Sequence, residues 1–183
     1  MVTLGLERGT VQIQKYSADW NCLFEREAAL LRSVMGAAAA QIQHIGSTAI
    51  EGMPAKPIID LIVVVGSLSA AGIWIPTLAT LGYAYRTNDT VADRLLFVKG
   101  PTNRRTHHLS LAEVSSNFYI EKIVFRDYLR SHFEAFAEYV QLKMKLAQGY
   151  PQDRASYTEG KRTFVEHIIH IAKEAQHPSP PQP

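Results

Sequence analysis

The run Ile58-Ile59-Asp60-Leu61-Ile62-Val63-Val64-Val65 constrains this chain more than any other stretch of it. Bounded by Pro57 and Gly66 and rich in β-branched residues, it predicts a central strand buried on both faces, and therefore a sheet covered on both sides. Asp60 is the one residue that does not belong. An ionised carboxylate in such a strand needs a cation, hydrogen-bond donors or water beside it, or burial drives it to take up a proton. Asp60 is thus the first candidate for a functional side chain, with a hydrogen-bonded structural aspartate as the simpler reading.

The rest of the chain predicts elements around that strand. Alternation over 11–15 points to a short strand, and Ser17 or Asp19 to the cap of a helix running to about Ala40, with Trp20, Phe24, Ala28, Leu31 and Val34 as its apolar stripe. Cys22, the only cysteine, falls on that helix and is expected in the core. Residues 42–45 read as a strand ending at Gly46-Ser47, 69–81 as a helix kinked at Pro76, and 83–86 as a strand. Strands over 94–99 and 107–111 look like a hairpin. From about Ser116 the period becomes helical, broken at Gly149-Tyr150-Pro151 before a last helix. Strands concentrated in the first two thirds and helices in the last predict an α+β domain over 1–176, with a flexible Pro-rich tail at 177–183.

Composition sets outer limits on function. With 183 residues, 46% of them hydrophobic, the chain has enough apolar material for one sizeable core. A formal net charge of +2 falls well short of a nucleic-acid-binding footprint and leaves small anions as partners. The first residues lack a cationic segment followed by a long apolar one, and no apolar run reaches membrane-spanning length, so a cytoplasmic location without membrane contact is expected.

Two constellations suggest chemistry. In His44-Ile45-Gly46-Ser47-Thr48, a Gly-Ser turn leaves a strand shortly before the Asp60 strand. Gly46 lets backbone approach a phosphate, Ser47 and Thr48 offer hydroxyls, and Asp60 offers a hard oxygen to a divalent cation. Two-metal transfer generally uses two or three carboxylates, yet Ile62 stands where a second would face the same side. In Arg104-Arg105-Thr106-His107-His108-Leu109-Ser110-Leu111, alternation puts His108 and Ser110 on one face and His107, Leu109 and Leu111 on the other. His108 is placed for acid-base work, phosphate binding or a metal shared with Asp60 and His44. Lys56 and Arg105 flank these strands. Tyr157 and Lys161, four apart on an expected helix face, add a hydroxyl and an ammonium.

These stretches, with Phe125-Arg126-Asp127-Tyr128-Leu129-Arg130, Leu142-Lys143 and 157–161, resemble the GrpB family from about Val11 to Ala172. The resemblance implies a nucleotidyltransferase-like mixed β-sheet with an N-terminal helix and C-terminal helices packed around it. It also implies a nucleotide or phosphorylated small molecule as partner, Mg²⁺ or Mn²⁺ at Asp60, and either nucleotidyl transfer to an acceptor or non-catalytic binding. By position, the family's Gly-Ser turn is Gly46-Ser47, its strand aspartate Asp60 and its paired histidines His107 and His108. The chain departs from the family twice. Ser110 replaces a third histidine and Gln43 a common glutamate.

Overall fold

A computed structural model describes residues 3–176, so the expected tail at 177–183 lies outside the described residues. In chain order the elements are β1 (Leu6–Glu7), α1 (Asp19–Met35), β2 (Ile42–Ile45), β3 (Ile59–Val64), α2 (Trp74–Thr80), β4 (Tyr83–Tyr85) and β5 (Leu95–Lys99). They continue with β6 (Arg104–Arg105), β7 (His107–Ala112), α3 (Asn117–Ser131), α4 (Phe133–Gly149), α5 (Arg154–Glu159) and α6 (Arg162–Gln176). The fold is α+β, built on a mixed five-stranded sheet of order β2-β3-β7-β5-β4. Only β3 and β7 run parallel, which makes Asp60 and His108 direct neighbours in register.

Both faces of the sheet are covered, as the apolar β3 run requires. On one face Ile59, Leu61, Val63, Leu109 and Leu111 pack with Trp20, Phe24, Ala28 and Leu31 of α1. On the other, Ile45, Ile62 and Ala112 meet Phe118 and Tyr119 of α3. A third cluster, Ile50, Met53, Leu129 and Tyr139, ties the segment after β2 to α3 and α4. Arg126, buried on α3, donates to Gln43 Oε1 at 2.9 Å and to the His44 carbonyl at 2.8 Å, latching the helix to β2.

Several expectations change for local reasons. Residues 11–15 form no strand, only an antiparallel bridge between Gln14 and Ala55. Pro54 and Pro57 flank Ala55 and have no N–H to extend the ladder. Cys22 is exposed, because α1 turns Trp20, Phe24, Ala28 and Leu31 inward and Cys22 lies more than half a turn away. Pro76 does not kink a helix. It sits in the first turn of α2, where its missing N–H has no intrahelical partner to lose, and the irregularity lies upstream as a 3-10 turn at Ala71–Ile73. The helical pattern after Ser116 divides at His132, which is extended and joins α3 to α4. Its Nδ1 lies 2.9 Å from the Tyr128 carbonyl, a side chain occupying an acceptor at the helix end. The last helix also divides. Gly160 lies so close to α4 that a Cβ there would sit 2.5 Å from Leu146 Cδ2, and α5 ends just before it.

Candidate functional site

The site forms where the turn after β2 meets the first residues of β3 and β7. Gly46 has φ +71° and ψ −174°, a backbone conformation essentially confined to glycine. A Cβ there would stand 2.6 Å from Asp60 Oδ2, so the turn closes over the carboxylate only because residue 46 has no side chain. Gly46→Ala is expected to destabilise the fold by about 1–3 kcal/mol through backbone strain and to displace Asp60. Urea unfolding checks this, and an unchanged midpoint would contradict the close approach.

Asp60 Oδ1 accepts a hydrogen bond from His108 Nδ1 at 2.9 Å, with about a third of the Asp60 side chain exposed. Burial alone would raise the carboxyl's pKa. The His108 hydrogen bond and charge, together with Lys56 and His44, reverse that and hold it below its ordinary value. Because an ionised carboxylate only accepts, the shared proton sits on Nδ1, and in the neutral form of the imidazole Nε2 is then the acceptor.

Around this pair lies a cavity of about 270 Å³ whose walls include Ser47, Lys56, Lys143, Arg154 and Lys161. Lys143 is 2% exposed and donates to Ser47 Oγ at 3.2 Å and to the Pro54 carbonyl. Its ammonium lies 4.8 Å from the Tyr139 ring centre. The buried Tyr157 ring is shared by Lys56 at 5.0 Å and Lys161 at 4.3 Å. Burial, then repulsion from neighbouring cations, brings Lys56 and Lys143 down to about 7. Burial likewise lowers Lys161 to about 8, against the pull of Asp60. Among the residues lining the cavity, Asp60 is the single acid facing four cations. Such a set is short of negative charge, and an oxyanion would supply it.

The sequence candidates divide accordingly. Gly46, Ser47, Lys56, Asp60, His108, Tyr157 and Lys161 come together at this cavity. Tyr157 and Lys161 do so from α5 and the turn after it rather than from one helix face, and Tyr157 presents its ring to the ammonium groups. Thr48 also borders the cavity, but its hydroxyl donates to the Ile58 carbonyl at 3.3 Å and accepts from His44 Nε2 at 3.0 Å. It braces the turn from beneath. His44 faces the α1 side of the sheet, stacked on Phe24 at 4.6 Å, and burial lowers its pKa to about 4. The site imagined from His44, Asp60 and His108 together is therefore not formed, since alternation sends His44 to the other face.

Arg105 is not in this cavity. Its Nη1 donates to the Gly100 carbonyl at 2.6 Å, and it borders an adjoining recess reached past His108 and Arg154. His107 lies in the α1 face, with Nδ1 2.9 Å from Thr106 Oγ1 and Nε2 3.9 Å from the Glu27 carboxylate. Sequence reasoning counts Lys143 and Arg154 only among the cations of the C-terminal helices, where most charges are solvated, and not as site residues. The signal for Lys143 was present: it continues the apolar stripe Phe136, Tyr139, Val140, a cation where a core residue is due.

Among the described residues no three His, Cys, Asp or Glu side chains are grouped to hold a metal. Asp60 offers a divalent ion one carboxylate, already hydrogen-bonded. The donor set does not fit a resident metal centre, and any Mg²⁺ or Mn²⁺ would have to draw most of its ligands from a bound phosphate and water.

The GrpB protein family model matches residues 10–170. This chain belongs to the GrpB family. It is similar to the glutamate-rich protein GrpB of Alkalihalophilus pseudofirmus, 36% identical over 91% of this chain and 98% of that one. It is also 36% identical to the UPF0157 protein YqkA of Bacillus subtilis over 89% of this chain, which spans 47% of that protein. The crystal structure of conserved protein GrpB from Enterococcus faecalis superposes with a TM-score of 0.83 at 29% identity, covering 90% of this chain and 99% of that one. Membership in the GrpB family thus agrees with the mixed sheet and its flanking helices. No helix among the described residues is long and apolar enough to cross a membrane.

Proposed function

We propose that this GrpB protein binds a nucleoside triphosphate, its phosphates in the lysine-lined cavity, and transfers the nucleotidyl group to an acceptor with His108 as general base. The observation that carries the reading is the convergence of Lys56, Lys143, Lys161 and Arg154 on Ser47 beside the Asp60–His108 pair. Lysines act as compact point charges toward phosphate oxygens. In the transfer, an acceptor hydroxyl forms a bond to the α-phosphorus and gives its proton to His108 Nε2. The bond from that phosphorus to the bridging oxygen breaks, and pyrophosphate leaves in the lysine cavity. Mg²⁺ or Mn²⁺ belongs to this reading only as a companion of the phosphates against Asp60. A nucleotide ligand also fits a cytoplasmic protein.

The single carboxylate favours a second reading, in which the same cavity holds a nucleotide or another phosphorylated metabolite without turnover. A thermal-shift titration with tripolyphosphate and with nucleoside triphosphates, each with and without Mg²⁺ or Mn²⁺, tests the binding that both share. A ligand that binds only the folded state raises the melting temperature. No rise with any polyphosphate would overturn both readings, and a rise without product by mass spectrometry would select the second.

A further inference from the structure

The lysine cavity has a neighbour of different make. Next to it, and sharing His108 and Arg154 with it, lies a recess of about 180 Å³ whose walls also carry Arg8, Arg86 and Arg105. Strand pairing collects these arginines from separate parts of the chain. Val98 stands opposite His108 and Ala84 opposite Val98, so alternation puts Arg86, two residues past Ala84, on the face that carries His108. The two-stranded ribbon of β1 and β6 supplies another wall, with Leu6 paired to Arg105 and the Arg8 N–H donating to the Asn103 carbonyl at 2.7 Å. Arg154 comes from the first residue of α5. Arg86, Arg105 and Arg154 are partly buried, and Arg8 is exposed.

Among the described residues no carboxylate lines this recess, and the guanidinium groups of Arg8, Arg86 and Arg154 have neither a hydrogen-bond acceptor nor an acid as partner. Arg105 spends Nη1 on the Gly100 carbonyl at 2.6 Å and keeps Nε and Nη2. The contrast with other arginines is plain: Arg94, Arg126 and Arg162 meet carboxylates at 2.7, 2.7 and 2.6 Å. Crowded lysines can relieve their repulsion by giving up protons. A guanidinium in a protein cannot, so an anion is what offsets these four charges. We propose that the recess receives a phosphate monoester carried by the acceptor, whose hydroxyl then reaches His108 at the border with the lysine cavity. This placement rests on the lysine cavity holding the phosphates of the nucleotide, as set out under the proposed function. A phosphate monoester brings about two negative charges and three accepting oxygens, and arginine forks bind such oxygens two at a time. A carboxylate brings one charge and two oxygens, a poorer match for four guanidinium groups. At about 180 Å³ the recess is smaller than the usual pocket for a whole drug-sized ligand, about 300–1,000 Å³, and suits one compact group.

Calorimetric titration of the full chain with glycerol 3-phosphate and with glycerate, each after one equivalent of tripolyphosphate has bound, tests the assignment. Glycerol 3-phosphate is expected to bind at least about tenfold tighter than glycerate. Arg86→Gln and Arg8→Gln, at side chains with no partner to lose, should each weaken glycerol 3-phosphate by about tenfold and leave tripolyphosphate within about threefold of the parent. In transfer of label from the α-phosphate to a small-molecule extract of cells, treating the extract with a phosphatase, then removed, should abolish labelling. Glycerate binding as tightly as glycerol 3-phosphate, or undiminished labelling after phosphatase, would overturn the monoester. Glycerol 3-phosphate displaced by tripolyphosphate, or indifferent to both substitutions, would overturn the recess as a separate subsite while the lysine cavity stands. A tenfold loss of tripolyphosphate affinity in these variants would assign the arginines to the polyphosphate itself and overturn the acceptor role. If tripolyphosphate does not bind the parent, the reading of the lysine cavity fails and the acceptor role with it.

Discussion

His108→Ala is expected to slow nucleotidyl transfer by about 10²–10⁴-fold, the usual contribution of a positioned general base, with tripolyphosphate affinity within about threefold of the parent. The split follows from where the imidazole sits. Its Nδ1 is committed to Asp60 Oδ1 at 2.9 Å, and its free nitrogen is suited to an acceptor's proton, whereas phosphate attraction comes from four other side chains. Asp60→Asn should fall between parent and His108→Ala, because the amide oxygen still accepts from Nδ1 but the carboxylate charge beside the imidazole is gone. The assay is transfer of label from the α-phosphate to a small-molecule extract of cells, beside calorimetric binding of tripolyphosphate. A loss of affinity as large as the loss of rate would move His108 from proton transfer to the phosphate cradle. Unchanged transfer in both variants would remove the pair from the chemistry.

Lys143→Met is expected to weaken tripolyphosphate binding by at least about tenfold at pH 6.5, the scale of one charge-assisted hydrogen bond, and to flatten the dependence of binding on pH. In the ligand-free protein Lys56 and Lys143 lie at about 7 and Lys161 at about 8. A polyphosphate favours their charged forms, so affinity in the parent should fall as pH rises from 6.5 to 9. Stability without ligand should move the other way. These lysines have folded values below the unfolded one, so the unfolded chain binds more protons from about pH 7 to the ordinary lysine value near 10.5. Their contribution to stability is complete above the unfolded value and is lost as pH falls toward the folded values. The melting temperature of the ligand-free parent should therefore climb between pH 7 and 9, and Lys143→Met should climb less. A lysine serving only to hold Ser47 and Pro54 in place would lower the melting temperature on replacement and leave the pH profile of anion binding as it was.

Much of the architecture was legible in the sequence because it follows from periods of two and of about 3.6. The β3 run announced a doubly covered strand, and alternation along 107–111 correctly separated His107 from His108. The same rule, applied to β2, would have sent His44 away from the Asp60 side once the antiparallel register was known, since His44 stands opposite Leu61 and Ile45 opposite Asp60. Register between strands is a tertiary property, and no local pattern in either strand reveals it. Helix breaks were harder for a related reason. His132 ends α3 without proline or glycine, turning extended while its N–H still donates to the Tyr128 carbonyl, and the turn at Gly160 fits a close approach to Leu146, fourteen residues earlier on another helix.

By itself the sequence determined that a carboxylate would stand in an apolar strand beside a glycine turn, since the identity of residue 60 and the β-branched run around it are local facts. Only the tertiary structure decided what answers that charge. The parallel register of β3 and β7 gives Asp60 its histidine, and the packing of α4 and α5 against the strand ends brings Lys56, Lys143, Arg154 and Lys161 to one cavity. Apart from Lys56, these partners come from segments far from Asp60 in the chain, and apart from Lys143 on its apolar stripe, each read alone shows only an ordinary charged residue. Their convergence depends on where the helices end and how they cross, which is set by packing across the whole core.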